Sequence, residues 1–390
     1  MSTLDCDVLV VGAGPAGSAA AAALAGSGRS VVLIDAAAHP RPKACAEYAS
    51  PRIVEELRHI GLADEAWKAD ALPLRGMRVI RGADAVEVAY EDRDGPRLAW
   101  GVERTRFDAA LARLAVERSA QLHERTRFDG ATFDGERWRV SIGGYRAPGE
   151  VRARWLVGAD GARSRVARGL GVERPVRAPR RIGLVAHYEG VAELGDHGEM
   201  HVGRSHYIGL APLSEGRLNV GMALPAGGRG GAETRFAAAI EELPAVVRRL
   251  AGSRRLSPIR GASPIGHRVS RAAGRGWMLI GDAAGFIDPF TGEGIFRALR
   301  SARCLADALA PGDDGAEERY RAARRSAFAA KDALTWTVQG MLAAPPVLGY
   351  ALRRLSARPD LARRLGSALG DCRPATDALS PTFLAAVLRP

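Results

Sequence analysis

Asp5-Cys6-Asp7-Val8-Leu9-Val10-Val11-Gly12-Ala13-Gly14-Pro15-Ala16-Gly17 is followed by an alanine-rich run to about Ala25. Val8 to Val11 are uninterruptedly apolar, the pattern of a strand buried on both faces. The glycines then come at a spacing with a physical meaning. Gly12 permits a tight turn, Gly14 lets a diphosphate come close to the backbone, and Gly17 lets the following helix pack against the strand, with Pro15 and Ala16 opening that helix. Its unpaired N–H groups face the phosphates. A second strand, Ser30 to Ile34, ends at Asp35, where a carboxylate can take ribose hydroxyls. Strand, glycine turn, helix, strand and acid together predict an α/β fold with a Rossmann-type dinucleotide domain. The acid suits FAD or NAD and disfavours a 2′-phosphate.

Two stretches far downstream extend this cradle. Val157-Gly158-Ala159-Asp160-Gly161-Ala162-Arg163-Ser164 ends another apolar strand in a turn, so Asp160 lies in a second loop aimed at the cofactor. Met278 to Ile280 lead into Gly281-Asp282, where glycine admits a ligand and the carboxylate can grip a hydroxylated chain. Pro289, Gly292 and Gly294 then precede a helical pattern carried by Ile295, Leu299, Ala302, Leu305 and Leu309. The N–H groups at that helix start face the same ligand.

Between these loops the pattern changes to period two. Met77, Val79, Val86, Val88 and Tyr90 read as strands outside the nucleotide sheet, and His206 to Leu213 with Arg217 to Leu224 read as a hairpin turning at Ser214 to Gly216. This second sheet is expected to roof the substrate side. Thr234 to Leu250 reads as one amphipathic helix, and the chain beyond residue 315 as helical with solvated Arg-rich faces. The expected division is 1–75, 101–175 and 266–315 for the cofactor domain, 76–100 and 176–265 for the substrate domain, and 316–390 for a helical segment. Arg104 opens a helix to about Arg118, where a cation is unfavourable unless it meets an anion such as a phosphate. Cys45, between two prolines and near Arg41 and Lys43, reads either as a small buried filler or as a functional thiol. His187, His201 and His206 read as ordinary strand histidines.

The 390 residues, 47% hydrophobic, are enough for a large core in two domains or one composite domain. Cys6, Cys45, Cys304 and Cys372 lie far apart without metal-ligand spacing, so no metal site is expected and free thiols in a cytoplasmic setting fit. Residues 8–25 approach membrane-span length, but their glycines and the preceding acids argue against a leader or a transmembrane helix. The net charge of +12 comes from dispersed arginines, only Lys43, Lys68 and Lys331 being lysines. No aromatic-plus-basic nucleic-acid module accompanies it. Such a surface attracts phosphorylated cofactors, acidic lipid or an acidic carrier protein.

The fingerprint, the Asp160-Gly161 loop and the Gly281-Asp282 loop, in this order, resemble the flavoprotein family that includes p-hydroxybenzoate hydroxylase and the geranylgeranyl reductases. The resemblance covers most of the first 310 residues. It implies a glutathione reductase-like FAD domain with an interleaved antiparallel substrate sheet and a helical C-terminus. The ADP portion would fall to Gly12, Gly14, Gly17 and Asp35, the ribityl chain to Gly281 and Asp282, and an FAD contact to Arg104. NAD(P)H would act as a transient reductant over the flavin. Within the family the reading favours a monooxygenase that hydroxylates a hydrophobic, aromatic or polyketide-type molecule through a flavin C4a-hydroperoxide. The alternative is a reductase of isoprenoid or quinone carbon–carbon double bonds. Lys43-Ala44-Cys45 and Thr291-Gly292-Glu293-Gly294-Ile295 resemble that branch, where Cys45 would assist, although Ala46 replaces its expected glycine. Halogenation and a non-enzymatic flavoprotein rank lower. The substrate is expected to be small, lipid-like or carrier-tethered, with peripheral membrane contact compatible with the charge.

Overall fold

The computed structural model describes residues 3–144 and 149–388. Strand Thr3–Val11 lies in the middle of a sheet of eight strands among the described residues. Val31–Ile34 and Gln121–His123 follow in parallel on one side, and Glu150–Gly158 then Trp277–Leu279 on the other. Both faces of this parallel core are covered, which is why Val8 to Val10 and Val31 to Ile34 are all fully buried apolar residues. Trp138–Gly144 and Thr126–Phe133 extend the sheet in antiparallel fashion. Helix Pro15–Gly26 leaves the first strand through the glycine turn and packs on helices Arg104–Glu117 and Gly294–Leu309. Its alanines keep the separations short: Ala19 to Ala22 have almost no exposed surface.

The second sheet has nine strands among the described residues, and Arg181–Glu189, Arg217–Pro225, Tyr207–Pro212 and His197–Val202 lie side by side in it. His197–Val202 then pairs in parallel with Gly76–Arg81, so two distant stretches share one sheet. Strand alternation gives it two unlike faces. Leu184, Ala186, Ile208, Leu210, Leu218, Val220 and Met222 pack against helices Ala232–Glu241 and Pro244–Arg249. The opposite face carries His187, Asn219, Gly221 and Ala223, with His187 directly across from Asn219.

The single helix expected over Thr234 to Leu250 is two helices. Pro244 has no N–H to continue the first, and it opens the second at its first helical position. The C-terminal part is helical as expected, with Ala316–Ala343 the longest element. Its arginines are not all merely solvated, since Arg319 donates to the Ala308 carbonyl and Arg324 to that of Ala284. Leu348, Leu352 and Leu361, from later helices, pack with Val86, Met200 and Tyr207 of the second sheet. Among the described residues no helix is long and apolar enough to cross a membrane.

Candidate functional site

The three glycine-bearing turns meet at the C-terminal ends of adjacent parallel strands. A Cβ on Gly12 would stand 2.5 Å from the Ala159 carbonyl oxygen, beside Asp160, and one on Gly17 would stand 1.8 Å from the Gly12 carbonyl oxygen. Gly12 also has φ +104. Gly281, with φ +57, abuts the Ala16 side chain, and its N–H is held by Ser301 Oγ at 2.8 Å. Close packing therefore fixes these glycines before any ligand is considered.

The acids at the turns have different duties. Asp35 accepts from the N–H groups of Ala13 and Ala37, 2.8 and 2.9 Å away, and Arg41 closes on it at 3.2 Å. Asp160 turns back onto its own loop. Its carboxylate accepts from Ser164 Oγ and the Arg165 N–H, both at 2.6 Å, and so holds the start of helix Arg165–Gly169. Burial pushes this carboxyl above the usual range despite those donors. Asp282 stands half-buried on the short turn Gly281–Ala284. Asp288 opens the next turn, Pro289–Thr291, by accepting from Phe290, and its other oxygen pairs with Arg181 at 2.5 Å. Ile295 is buried in the core cluster shared with helix Gly294–Leu309.

The expected arginine has found its anion within the chain. Arg104, 5% exposed, donates Nε and Nη2 to the two oxygens of Asp108 at 2.7 and 2.8 Å. Burial opposes its charge, but Asp108 and then the Cys45 thiol hold the guanidinium well above its ordinary range. The Cys45 sulfur also accepts from the Glu47 N–H at 3.4 Å. The segment Arg41 to Tyr48 runs past the first two of these turns and past Gly292, at the end of the turn Pro289–Thr291. Arg41 reaches to 3.6 Å from where a Gly14 Cβ would be, Lys43 to 3.8 Å from that of Gly161, and the Tyr48 ring to 2.8 Å from that of Gly292.

Sequence reasoning missed the group that holds this segment from above. Glu47, 2% exposed and in the left-handed region at φ +56, accepts from His187 Nε2 at 2.6 Å and from Asn219 Nδ2 at 2.9 Å on one oxygen. Its other oxygen takes the Arg104 N–H at 2.9 Å. Asn219 Nδ2 also donates to the Cys45 carbonyl at 2.9 Å. His187 lies on strand Arg181–Glu189, and the sequence reading did not foresee that its ring pairs across 140 residues of sequence. The only sequence signal was a polar residue inside the apolar run Leu218-Asn219-Val220. His201 stays local, on Glu199, while His206 reaches the Ala239 carbonyl of the helix packed on the sheet.

A second buried network lies behind Gly292. Glu293 accepts from Thr291 at 2.6 Å and faces Lys331 Nζ at 3.2 Å, and Lys331 also faces Asp371 at 3.2 Å. One ammonium between two buried carboxylates cannot satisfy both equally. Burial works against the charge on Glu293, but Lys331 and Arg297 outweigh it and hold this carboxyl low. Asp371 is pushed up by burial to about 6.

These features fit a dinucleotide. Helices Pro15–Gly26 and Gly294–Leu309 both start without a side-chain cap, leaving N–H donors for phosphate or ring carbonyl groups, and Arg41 and Lys43 add positive charge. A family model described as FAD binding domain matches residues 5–329. The chain belongs to this family. The FAD-binding chain is 34% identical to a menaquinone reductase of Mycobacterium tuberculosis over 78% of its length and 76% of the relative's. It is 32% identical to a digeranylgeranylglycerophospholipid reductase of Methanothrix thermoacetophila over 80% of each chain. The solved flavin-dependent brominase Bmp2 superposes with TM-score 0.82 at 22% identity, covering 98% of both chains. This flavoprotein is an FAD-dependent oxidoreductase of mixed α/β fold.

Proposed function

We propose that this oxidoreductase reduces carbon–carbon double bonds of an isoprenoid chain, carried by a quinone or a lipid, with NAD(P)H as transient reductant. The reading takes the parallel sheet as a Rossmann-type, glutathione reductase-like FAD domain, made of 1–75, 101–175 and 266–315. The second sheet, from 76–100 and 176–265, covers the substrate. Gly12, Gly14, Pro15, Ala16 and Gly17 would receive the ADP portion with Asp35, and Asp160, Gly281, Asp282, Pro289, Gly292 and Gly294 would line the rest. The observation that carries the reaction is Cys45, a half-buried thiol in a segment that passes Gly14, Gly161 and Gly292, with Arg104 and the Glu47 N–H at its sulfur.

Bound FAD, once reduced, supplies a hydride to one carbon of the double bond. In this reading Cys45 gives its proton to the other carbon, so the double bond is saturated and the sulfur keeps the electron pair. Arg104 faces the sulfur as that charge develops, and its pairing with Asp108 keeps it in place. Solvent then returns the proton. The reductases among the relatives support this branch. The same fold carries a brominase, so fold alone does not choose between double-bond reduction and oxygen chemistry. The covering sheet, with apolar residues behind it, suits the monooxygenase reading equally.

The deciding experiment incubates the FAD-loaded protein with NAD(P)H and menaquinone or a geranylgeranyl lipid, with and without oxygen, and weighs the product. A product heavier by a pair of hydrogens, formed without oxygen, is expected. A product that gains an oxygen atom and forms only in air would instead establish the monooxygenase.

A further inference from the structure

The histidine on the covering sheet has partners on both nitrogens. Nε2 meets the Glu47 carboxylate at 2.6 Å, and Nδ1 meets Ser257 Oγ at 3.4 Å. Ser257 also accepts the His187 backbone N–H at 3.0 Å, so ring and backbone are anchored to the same residue. Glu47 in turn holds an unfavourable left-handed backbone two residues after Cys45. That conformation persists only because the surroundings fix it: His187 and Asn219 on one carboxylate oxygen, the Arg104 N–H on the other. Asn219 further ties the Cys45 carbonyl, so Cys45 is bracketed by two bonds from one strand pair. Within Arg41 to Tyr48 the sulfur is held by the Glu47 N–H at 3.4 Å, and Glu47 is itself held by the second sheet.

We propose that His187 and Asn219 are positioning residues, which set where the Cys45 sulfur stands relative to Arg104 by gripping Glu47. The proposal rests on the reading that Cys45 takes part in the chemistry, but its geometric part can be tested without turnover. Cys6, Cys304 and Cys372 are buried, and burial pushes their thiols up to about 12, 11 and 12. A thiol reagent therefore reports on Cys45 in the folded protein.

The experiment measures the iodoacetamide alkylation rate of Cys45, and kcat and KM with the substrate found above, in the FAD-loaded wild type, His187→Leu, His187→Gln, Asn219→Ala and Cys45→Ser. Glutamine can place an N–H near Nε2 and so keep the bond to Glu47, whereas leucine cannot. Losing one hydrogen bond to a charged group corresponds to about a tenfold change in rate. His187→Leu and Asn219→Ala are expected to change alkylation by about that factor and to lower kcat at constant KM, with FAD retained. His187→Gln is expected to restore wild-type values. Alkylation at the wild-type rate in both His187→Leu and Asn219→Ala overturns the proposal, as does failure of glutamine to rescue. If His187→Leu does not fold, Asn219→Ala decides alone. Full turnover in Cys45→Ser removes the catalytic reading instead and leaves the alkylation result to judge the positioning.

Discussion

The two sheets meet the segment Arg41 to Tyr48 and its neighbouring turns on opposite principles. The parallel-sheet side offers backbone: glycine turns, helix starts and a carboxylate that braces two turns. The covering sheet offers side chains, His187 and Asn219, which reach a segment some hundred and forty to hundred and seventy residues away in sequence. Backbone recognition demands small residues at fixed local spacing, whereas side-chain recognition needs only that distant strands arrive at one place. The first leaves a motif in the sequence and the second does not.

Four experiments sharpen or break this contrast. The largest effect belongs to the backbone side. A valine at Gly17 would put its Cβ 1.8 Å from the Gly12 carbonyl oxygen, so Gly17→Val should abolish FAD retention on gel filtration, with loss of soluble protein. Wild-type flavin content would show that the turn is not backbone-built. Next comes Asp108→Ala, which leaves a buried guanidinium without its carboxylate. A loss of about 3–5 kcal/mol in urea-unfolding stability is expected, and no loss would mean that the pair is not buried in solution. Cys45→Ser should then lower double-bond reduction about a hundredfold while FAD stays bound, since serine is a far poorer proton donor. That outcome separates the two sides, because chemistry fails while cofactor retention does not.

The smallest effect concerns Asp371. Burial raises its folded carboxyl from the ordinary 3.8 to about 6, so the native state binds this proton more tightly than the unfolded chain does. The associated stability is present below about pH 4 and is lost as pH rises towards 6. Lys331, Glu293 and Arg297 are the charges that face it. Relative to Asp371→Asn, wild type should lose on the order of 1–2 kcal/mol across that interval in unfolding measurements. Parallel stability curves would remove this group from the account.

Much of the cofactor side was legible because its constraints are local. Gly12, Gly17 and Gly281 are forced by contacts whose spacing the chain displays, and the turns do converge. Arg104 was legible as a helix-start cation in need of an anion, but not as the partner of Asp108 one turn on, although spacing alone allowed that pair. Asp160 reads as part of a loop aimed at the cofactor, while the bonds of its carboxylate to Ser164 and Arg165 at the helix start behind it leave no trace in the spacing. Glu47 gave no signal, since nothing in the sequence tells a buried left-handed glutamate from an exposed one. The helix over Thr234 to Leu250 failed at Pro244, where apolar periodicity continued through a residue that cannot donate.

The long C-terminal helix clasps the Gly281 turn from outside. Tyr320 donates to the Leu279 carbonyl just before the turn, and Arg324 to the Ala284 carbonyl at its end. The ribosome makes the fingerprint first and these clasps near the end, so a nascent chain holds half a cradle for most of its synthesis. In the function proposed above, cofactor capture is therefore a late event in the life of this polypeptide, because a chain that stalls before Tyr320 and Arg324 emerge has the Gly281 turn but not the bonds that brace it.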